Sequence, residues 1–148
     1  MDRLDAATID VLREDGRIAN VALAERVGLT PGPCLRRVQR LEADGIIVGY
    51  QAQISPAAAN QSFEVLLDIE ITDFDMKSIE SFEARMAAYT QVLELHRLFG
   101  SPDYLARVAV ADLAAYEDFL THKVLAIPGI HRVSSRFPMK TIKSLRPV

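Results

Sequence analysis

Residues 20–41 read NVALAERVGLTPGPCLRRVQRL and decide the fold of the N-terminal half of the chain. Apolar side chains recur at helical spacing on both sides of a short turn that contains Gly28. We expect Asn20 to cap the first helix, Gly28 to end it at positive φ, and Thr30 to cap the second helix. Pro31 suits the first position of a helix, where an N–H would have no helical partner. Two short helices joined by a three-residue turn form a helix-turn-helix.

The residues on either side extend this motif. Asp5 is expected to cap an earlier helix that stops near Asp15-Gly16, which adds a third helix to a small core. Residues 46–54 are rich in β-branched side chains and broken by one glycine, a pattern typical of a short hairpin. We therefore predict a winged helix-turn-helix domain over residues 1–54.

Charge alone does not identify a nucleic-acid-binding protein here. The net charge is −3, and residues 1–50 contain seven arginines, no lysine and eight acidic residues. Any DNA contact must therefore depend on where the charge lies. Residues 30–41 contain three arginines and no acid.

The second helix of the motif divides into an apolar and a basic face. At about 100° per residue, Cys34 points into the core with Val38, and Cys34 is expected to be a small buried hydrophobe rather than a reactive thiol. Arg37 lies on the flank, with pairing to the acids of another helix or to Asp44 as its alternative role. The residues predicted to contact double-stranded DNA are Thr30, Gly32, Pro33, Arg36, Arg37, Gln39 and Arg40. The alternatives are a solvated arginine pair, or a three-helix core that binds nothing.

The second half has the order βαββαβ. Predicted strands cover residues 63–71, 92–99, 104–110 and 130–139, and Asp75 and Asp112 are expected to cap the two helices. This order is that of a ferredoxin-like domain. The whole chain is then an α+β protein with domains at 1–54 and 63–148 and a hinge at 55–62.

One face of the predicted sheet has no helix to cover it. Its side chains mix apolar and charged types: Glu64, Leu66, Asp68, Glu94, His96, Leu98, Leu105 and Arg107. We expect self-association to bury the leucines of this face and to bring Arg107 to the acids of the first strand.

Signals for catalysis and for cofactors are weak. The three histidines and Cys34 have no metal-ligand spacing, and the chain has no phosphate loop or nucleophile elbow. We expect neither a metal nor a cofactor, and no enzymatic activity. A single cysteine, the absence of an 18-residue apolar run and a start without a secretory signal lead us to expect a cytoplasmic protein with no membrane partner.

Short stretches over nearly the whole chain match the pattern of one known protein family. In the first half they are Leu4-Asp5, Asp15-Gly16-Arg17, Leu23-Ala24, Val27-Gly28-Leu29-Thr30-Pro31, Pro33-Cys34, Arg37-Val38, Leu41-Glu42 and Gly45-Ile46-Ile47. In the second half they are Gly100, Asp103-Tyr104, Pro128-Gly129 and Met139. With these stretches the chain resembles the Lrp/AsnC family of feed/famine regulators. The resemblance implies a transcriptional regulator, dimers that assemble into octamers or similar rings, and a small effector, often an amino acid, bound between dimers.

The loop after the second strand is the predicted effector site. Gly100 allows close approach of a ligand to the backbone, and Asp103 is a natural acceptor for a ligand ammonium group. The resemblance adds Ser135, and Ser101 stands where several family members have an acidic residue. The predicted effector-binding residues are Gly100, Ser101, Pro102, Asp103, Tyr104 and Ser135. The alternative is a plain hairpin in which Asp103 caps the turn.

Two other functions share this architecture. Sirohaem decarboxylases have the same two domains and would need His96 and Arg107, or similar groups, to converge on a tetrapyrrole propionate. A metabolite-sensing scaffold with a vestigial DNA domain is the other alternative. The arginines at 36 and 40 favour DNA binding over the decarboxylase. A gel-shift experiment on the protein's own upstream region distinguishes DNA binding from the scaffold.

Overall fold

The computed structural model describes residues 1–72 and 75–143 of the chain. The chain divides into two compact units, Met1–Ala52 and Gln53–Val148. The first unit contains three helices: α1 (Arg3–Glu14), α2 (Asn20–Val27) and α3 (Pro31–Ala43). Within the described ranges, no helix is long and apolar enough to cross a membrane.

The start of α1 differs from the sequence prediction. Asp2, and not Asp5, is the N-cap, and the two residues form a reciprocal capping box. The Asp2 carboxylate accepts from the Asp5 N–H at 2.7 Å, and the Asp5 carboxylate accepts from the Asp2 N–H at 2.8 Å. Asp5 therefore lies inside the first turn, where its side chain remains available to other partners.

The helix-turn-helix itself is confirmed, with one change at the start of α2. Ala19 is the N-cap, and Asn20 begins the helix. The Asn20 side-chain amide instead donates to the carbonyl of Pro31 at 2.8 Å, which ties α2 to the start of α3. Gly28 ends α2 with φ 72°, as predicted, and Thr30 is the N-cap of α3.

The core of the first unit lies between the three helices. Leu23, Cys34 and Leu41 are fully buried, as is Thr8, whose hydroxyl donates to the carbonyl of Leu4 at 2.7 Å. The predicted inward face of α3 is thus confirmed. Burial raises the pKa of the Cys34 thiol, consistent with a packing role.

The hairpin predicted over residues 46–54 is absent, since none of these residues belongs to a strand. The N–H groups of Ile46 and Ile47 both donate to the carbonyl of Leu41 and close the end of α3. Further along, the Tyr50 hydroxyl donates to Glu42 at 2.8 Å, so this segment folds back on its own helix. The prediction was wrong because β-branched composition does not provide strand partners.

The second unit is the predicted ferredoxin-like domain. Its strands are β1 (Phe63–Ile71), β2 (Val92–Arg97), β3 (Tyr104–Val110) and β4 (Ile130–Arg136). They form an antiparallel sheet in the order β2-β3-β1-β4. Helices α4 (Met76–Ala88) and α5 (Leu113–Phe119) are capped by Asp75 and Asp112, as predicted, and a π-helical turn, Leu120–Val124, extends α5.

Two strands are shorter than predicted. β2 ends at Arg97, and the Leu98 N–H that follows donates to the carbonyl of Asp103 and closes the loop to β3. β4 ends at Arg136, and Pro138 two residues later has no N–H to donate to a ladder. The core of this unit lies on the helix side of the sheet, where Val65 and Leu67 are buried.

Candidate DNA interface and candidate effector site

The exposed face of α3 contains most of the residues predicted to meet DNA. Gly32, Pro33, Arg36, Gln39 and Arg40 are all exposed. In residues 1–72 and 75–143, no carboxylate forms an ion pair with Arg36. This guanidinium is therefore available to an external anion, and phosphate and guanine edges are the anionic or acceptor groups that arginine binds best.

The start of α3 adds donors beside this face. Pro31 and Pro33 have no N–H, so Gly32 supplies the only free backbone donor of the first three helical positions. The Thr30 hydroxyl makes no capping hydrogen bond. Both groups lie at the positive end of the helix dipole, where an anion is favoured.

Arg37 is not part of the exposed face. Its side chain is 17% exposed, and its guanidinium donates to both carboxylate oxygens of Asp2 at 2.8 Å and to Asp5. The hydrogen bond from Arg37 holds the pKa of Asp2 below its usual range. The Asp2 N–H is the main cause of the lowered pKa of Asp5, with Arg37 adding to it. Arg37 therefore joins α3 to α1, the alternative role that the sequence left open.

Arg40 occupies an intermediate position. One Nη of its guanidinium lies 2.5 Å from the Asp5 carboxylate, yet its side chain is 53% exposed. The Asp5 side chain is 2% exposed and receives Arg37 as well. The sequence did not predict that Asp5 pairs with these arginines, because the position of Asp5 at the start of α1 indicated only a capping role.

The uncovered face of the sheet carries ion pairs within one chain. Arg107 donates to Glu64 at 2.5 and 2.9 Å and lies 3.4 Å from Glu94. The predicted contact of Arg107 with an acidic residue of β1 therefore forms within one chain, with Glu64, and does not require self-association. His96 Nε2 lies 3.7 Å from Glu94 and is exposed. Arg107 and His96, the two groups that would have to bind a tetrapyrrole propionate in a sirohaem decarboxylase, thus already lie beside carboxylates of the same chain.

The loop between β2 and β3 is fastened to the sheet through Asp103. The Asp103 carboxylate accepts from the N–H of Ile71 at 2.9 Å, and its carbonyl accepts from Leu98 at 2.8 Å. Gly100 has φ 121°, and nothing lies within 4 Å of where its Cβ would be. The side chain of Asp103 thus has a structural partner, as in the hairpin alternative.

The six predicted effector residues lie on two sides of the sheet. Tyr104 is 1% exposed, and its hydroxyl donates to Glu83 at 2.8 Å on the helix side. Burial raises the pKa of Tyr104 to about 12. Ser135 is also on that side, with its hydroxyl 2.5 Å from the hydroxyl of Tyr116. Ser101 and Pro102 line the uncovered side.

A shallow pocket of about 230 Å³ lies at this loop on the uncovered side. Two of its lining residues, Ser101 and Pro102, were predicted. The structure adds the others: Asp68, Glu70, Arg132 and Ser134. The Ser101 hydroxyl donates to Glu70 at 3.1 Å, and Glu70 lies opposite Arg132 in the β1–β4 register. Period-two alternation places Glu70 on this face but does not show which β4 residue pairs with it.

The described part of the chain contains no cluster of three or more histidine, cysteine, aspartate or glutamate side chains that could hold a metal ion.

Comparison with known proteins agrees with this arrangement. Residues 64–148 match the family model for the Lrp/AsnC ligand-binding domain, and residues 1–48 match a winged helix-turn-helix DNA-binding model. The leucine-responsive regulatory protein of Salmonella typhimurium is 36% identical over 143 residues, which are 97% of this chain and 87% of that protein. Escherichia coli strain K12 has a protein of the same name with the same identity and coverage.

Solved structures that resemble this chain are also transcriptional regulators. A transcriptional regulator from Neisseria meningitidis in complex with L-Met superposes with a TM-score of 0.91 at 35% identity, covering 97% of this chain and 93% of that one. An AsnC family transcriptional regulator from Agrobacterium tumefaciens gives 0.89 at 37% identity, covering 97% and 94%. The fold and these matches thus define a DNA-binding transcriptional regulator with a ligand-binding domain. The chain belongs to the Lrp/AsnC family.

Proposed function

We propose that the chain binds double-stranded DNA through the exposed face of α3, with Arg36 as the main contact. The observation that carries this is the Arg36 guanidinium, which lies on the second helix of a helix-turn-helix without an ion-pair partner in the described residues. In this motif the second helix enters the major groove. Gln39 and the start of the helix at Thr30 and Gly32 lie beside the same surface.

The test is an Arg36→Ala variant assayed for binding to DNA from the protein's own upstream region. A lost guanine contact costs about 1–3 kcal/mol on the bound sequence. A lost phosphate contact instead weakens binding to all sequences and reduces the salt slope by about one. Arg13→Ala is the matched control, because Arg13 is equally charged and exposed but lies on α1. Equal affinities and slopes for both variants would contradict the assignment.

The pocket on the uncovered sheet face is proposed to bind a small amino-acid effector. It places the carboxylates of Asp68 and Glu70 and the guanidinium of Arg132 around one space. A zwitterionic amino acid has the complementary groups, with its carboxylate directed to Arg132 and its ammonium to Glu70. Because Asp103 is bonded to β1, Glu70 replaces it in this proposal as the ammonium acceptor. The L-Met complex of the Neisseria meningitidis relative supports an amino acid as the effector class.

Calorimetry with L-methionine and L-leucine tests this site on the full chain. We expect Glu70→Gln and Arg132→Gln each to weaken binding at least tenfold, since each leaves one ligand charge unpaired. Arg85→Gln is the control, because Arg85 is exposed on α4, the helix side of the sheet. Binding that is unchanged in both pocket variants would place the effector elsewhere.

We also propose that the chain forms homo-oligomers through its C-terminal sheet. The uncovered face leaves Leu98 40% exposed, and the next residue, Phe99, is fully exposed at the loop. Burial of such side chains favours association. Sedimentation of the full chain at micromolar concentration is expected to show a dimer or a larger assembly, and Leu98→Lys is expected to shift it toward monomer. A wild-type monomer would contradict this part of the proposal.

A further inference from the structure

The structure assigns a regulatory role to the buried carboxylate of Asp5 at the proposed DNA interface. We propose that Asp5 competes with DNA for the guanidinium of Arg40 and thereby limits the affinity of the free domain for DNA of unrelated sequence. This inference rests on the proposed use of the α3 face. It adds a residue of α1, which does not itself lie on that face.

The geometry around Asp5 makes its two arginines unequal. Arg37 is largely buried and is shared between Asp5 and both oxygens of Asp2. Arg40 is half exposed, and among the described residues it is held at a single contact, 2.5 Å from Asp5 Oδ1. Arg40 is therefore the partner that can exchange, whereas Arg37 remains with α1.

Exchange does not leave a buried charge without a partner. The Asp5 carboxylate also accepts from the Asp2 N–H at 2.8 Å and from Arg37. When Arg40 turns to a phosphate, these two groups stay in place. A buried carboxylate that lost its only partner would oppose the exchange strongly, and the second arginine removes that penalty.

Arg36 provides the internal contrast. It lies four residues before Arg40 on the same exposed face, and the described part of the chain offers it no carboxylate. Arg36 is thus free to meet any DNA at once. Arg40 must first leave Asp5, so its net contribution is smaller and depends on a phosphate placed to accept it.

The first test compares Asp5→Asn with Asp44→Asn in the full chain. Both remove one negative charge near Arg40. Asp44 lies at the same surface depression as Asp5 and Arg40, but no Arg40–Asp44 ion pair forms. Binding of a fluorescent duplex of unrelated sequence is measured by anisotropy over a series of salt concentrations.

We expect Asp5→Asn to steepen the slope of log K against log salt by about 0.9, the value for one additional phosphate contact. If the two proteins bind equally at 1 M salt, this slope makes the variant about eightfold tighter at 0.1 M. Simple damage to the helix packing would have the opposite sign, since it weakens DNA binding. Equal slopes for Asp5→Asn and Asp44→Asn would overturn the proposal.

Arg40→Gln shows whether the effect passes through Arg40. Combined with Asp5→Asn, it is expected to return the slope to that of Arg40→Gln alone. A slope that stays steep in the double variant would overturn the proposal, because the freed charge would then be Arg37.

If circular dichroism shows that Asp5→Asn does not fold, two single variants of the arginines test the proposal instead. In the otherwise unchanged chain, Arg40→Gln should alter binding to the unrelated duplex by less than twofold, whereas Arg36→Gln should weaken it several-fold. Equal losses would show that Arg40 is already free and would overturn the inference alone. If neither variant affects DNA binding, the α3 face is not the interface, and the proposed function fails with it.

Discussion

Two glycines near the helix-turn-helix, one in the turn and one at the start of α3, allow a prediction that separates stability from DNA binding. Gly28 has φ 72° and ψ 36°, and a Cβ at this position would have no atom within 4 Å. The cost of Gly28→Ala is therefore backbone strain alone, about 1–2 kcal/mol for a left-handed L-residue. Alanine also has less conformational freedom than glycine in the unfolded chain, and this offsets roughly 0.4–1 kcal/mol of the strain. We expect a net loss of about 1 kcal/mol in the free energy of unfolding of the first unit.

Gly32→Ala is the matched substitution, with a different expectation. Gly32 is the second residue of α3, and its Cβ would lie 3.8 Å from Arg36 Nη1, an ordinary contact. Alanine is favoured over glycine in a helix interior by up to about 1 kcal/mol, but a Cβ directly before Pro33 disfavours the helical backbone. The two effects oppose each other, so we expect a smaller change in stability than for Gly28→Ala. The added methyl group lies beside Arg36 on the proposed DNA face and is expected to weaken DNA binding.

Urea unfolding followed by far-ultraviolet circular dichroism measures the stability of both variants. Hydrogen exchange of the α2 and α3 amides assigns the change to the first unit. Anisotropy with the upstream DNA, measured where each variant is folded, completes the comparison. The reasoning about Gly28 is refuted if Gly28→Ala is as stable as wild type. The reasoning about the DNA face is refuted if Gly32→Ala binds DNA as tightly as wild type.

Three further predictions follow from the titratable groups. The pKa values of Asp2 and Asp5 are lowered in the folded chain, so the stability that these carboxylates contribute is present above the ordinary pKa of 3.8 and is lost as pH falls below it. Thermal unfolding at a series of acidic pH values should show this loss of stability, and Asp5→Asn should show a smaller loss. Cys34 is fully buried with a raised pKa, so it should react with a thiol reagent only after denaturant is added, and rapid reaction of the native protein would contradict its packing. In an alkaline absorbance titration one tyrosine should ionise near pH 12, and Tyr104→Phe should remove that step.

Local patterns predicted much of the secondary structure. The alternation along β1 fixed its ends and its buried face, since side-chain direction in a strand follows from position alone. Gly28 marked the end of α2 because positive φ is a property of one residue. The hairpin predicted over residues 46–54 is absent for the converse reason. A strand needs a partner strand, and composition does not show which segment would supply it.

The predicted effector residues show the same division. Gly100, Ser101, Pro102 and Asp103 lie on the β2–β3 loop, as the sequence predicted. Tyr104 and Ser135 instead lie on the helix side of the sheet. Glu70 and Arg132 became neighbours only through the β1–β4 register. A resemblance that matches residues in sequence does not state which side of a sheet each one faces.

Outside residues 46–54, the sequence by itself determined the order of helices and strands, the helix-turn-helix and the exposed arginine face of α3, because each of these depends on spacing within a few residues. The order βαββαβ then predicted the ferredoxin-like domain. Tertiary structure decided which charges are paired. Asp5 reaches Arg37 and Arg40 across 32 and 35 residues, and Arg107 reaches Glu64 across 43. Such pairs form only when packing brings distant segments together, and they leave Arg36 as the unpaired cation among the arginines of α3 in the described chain.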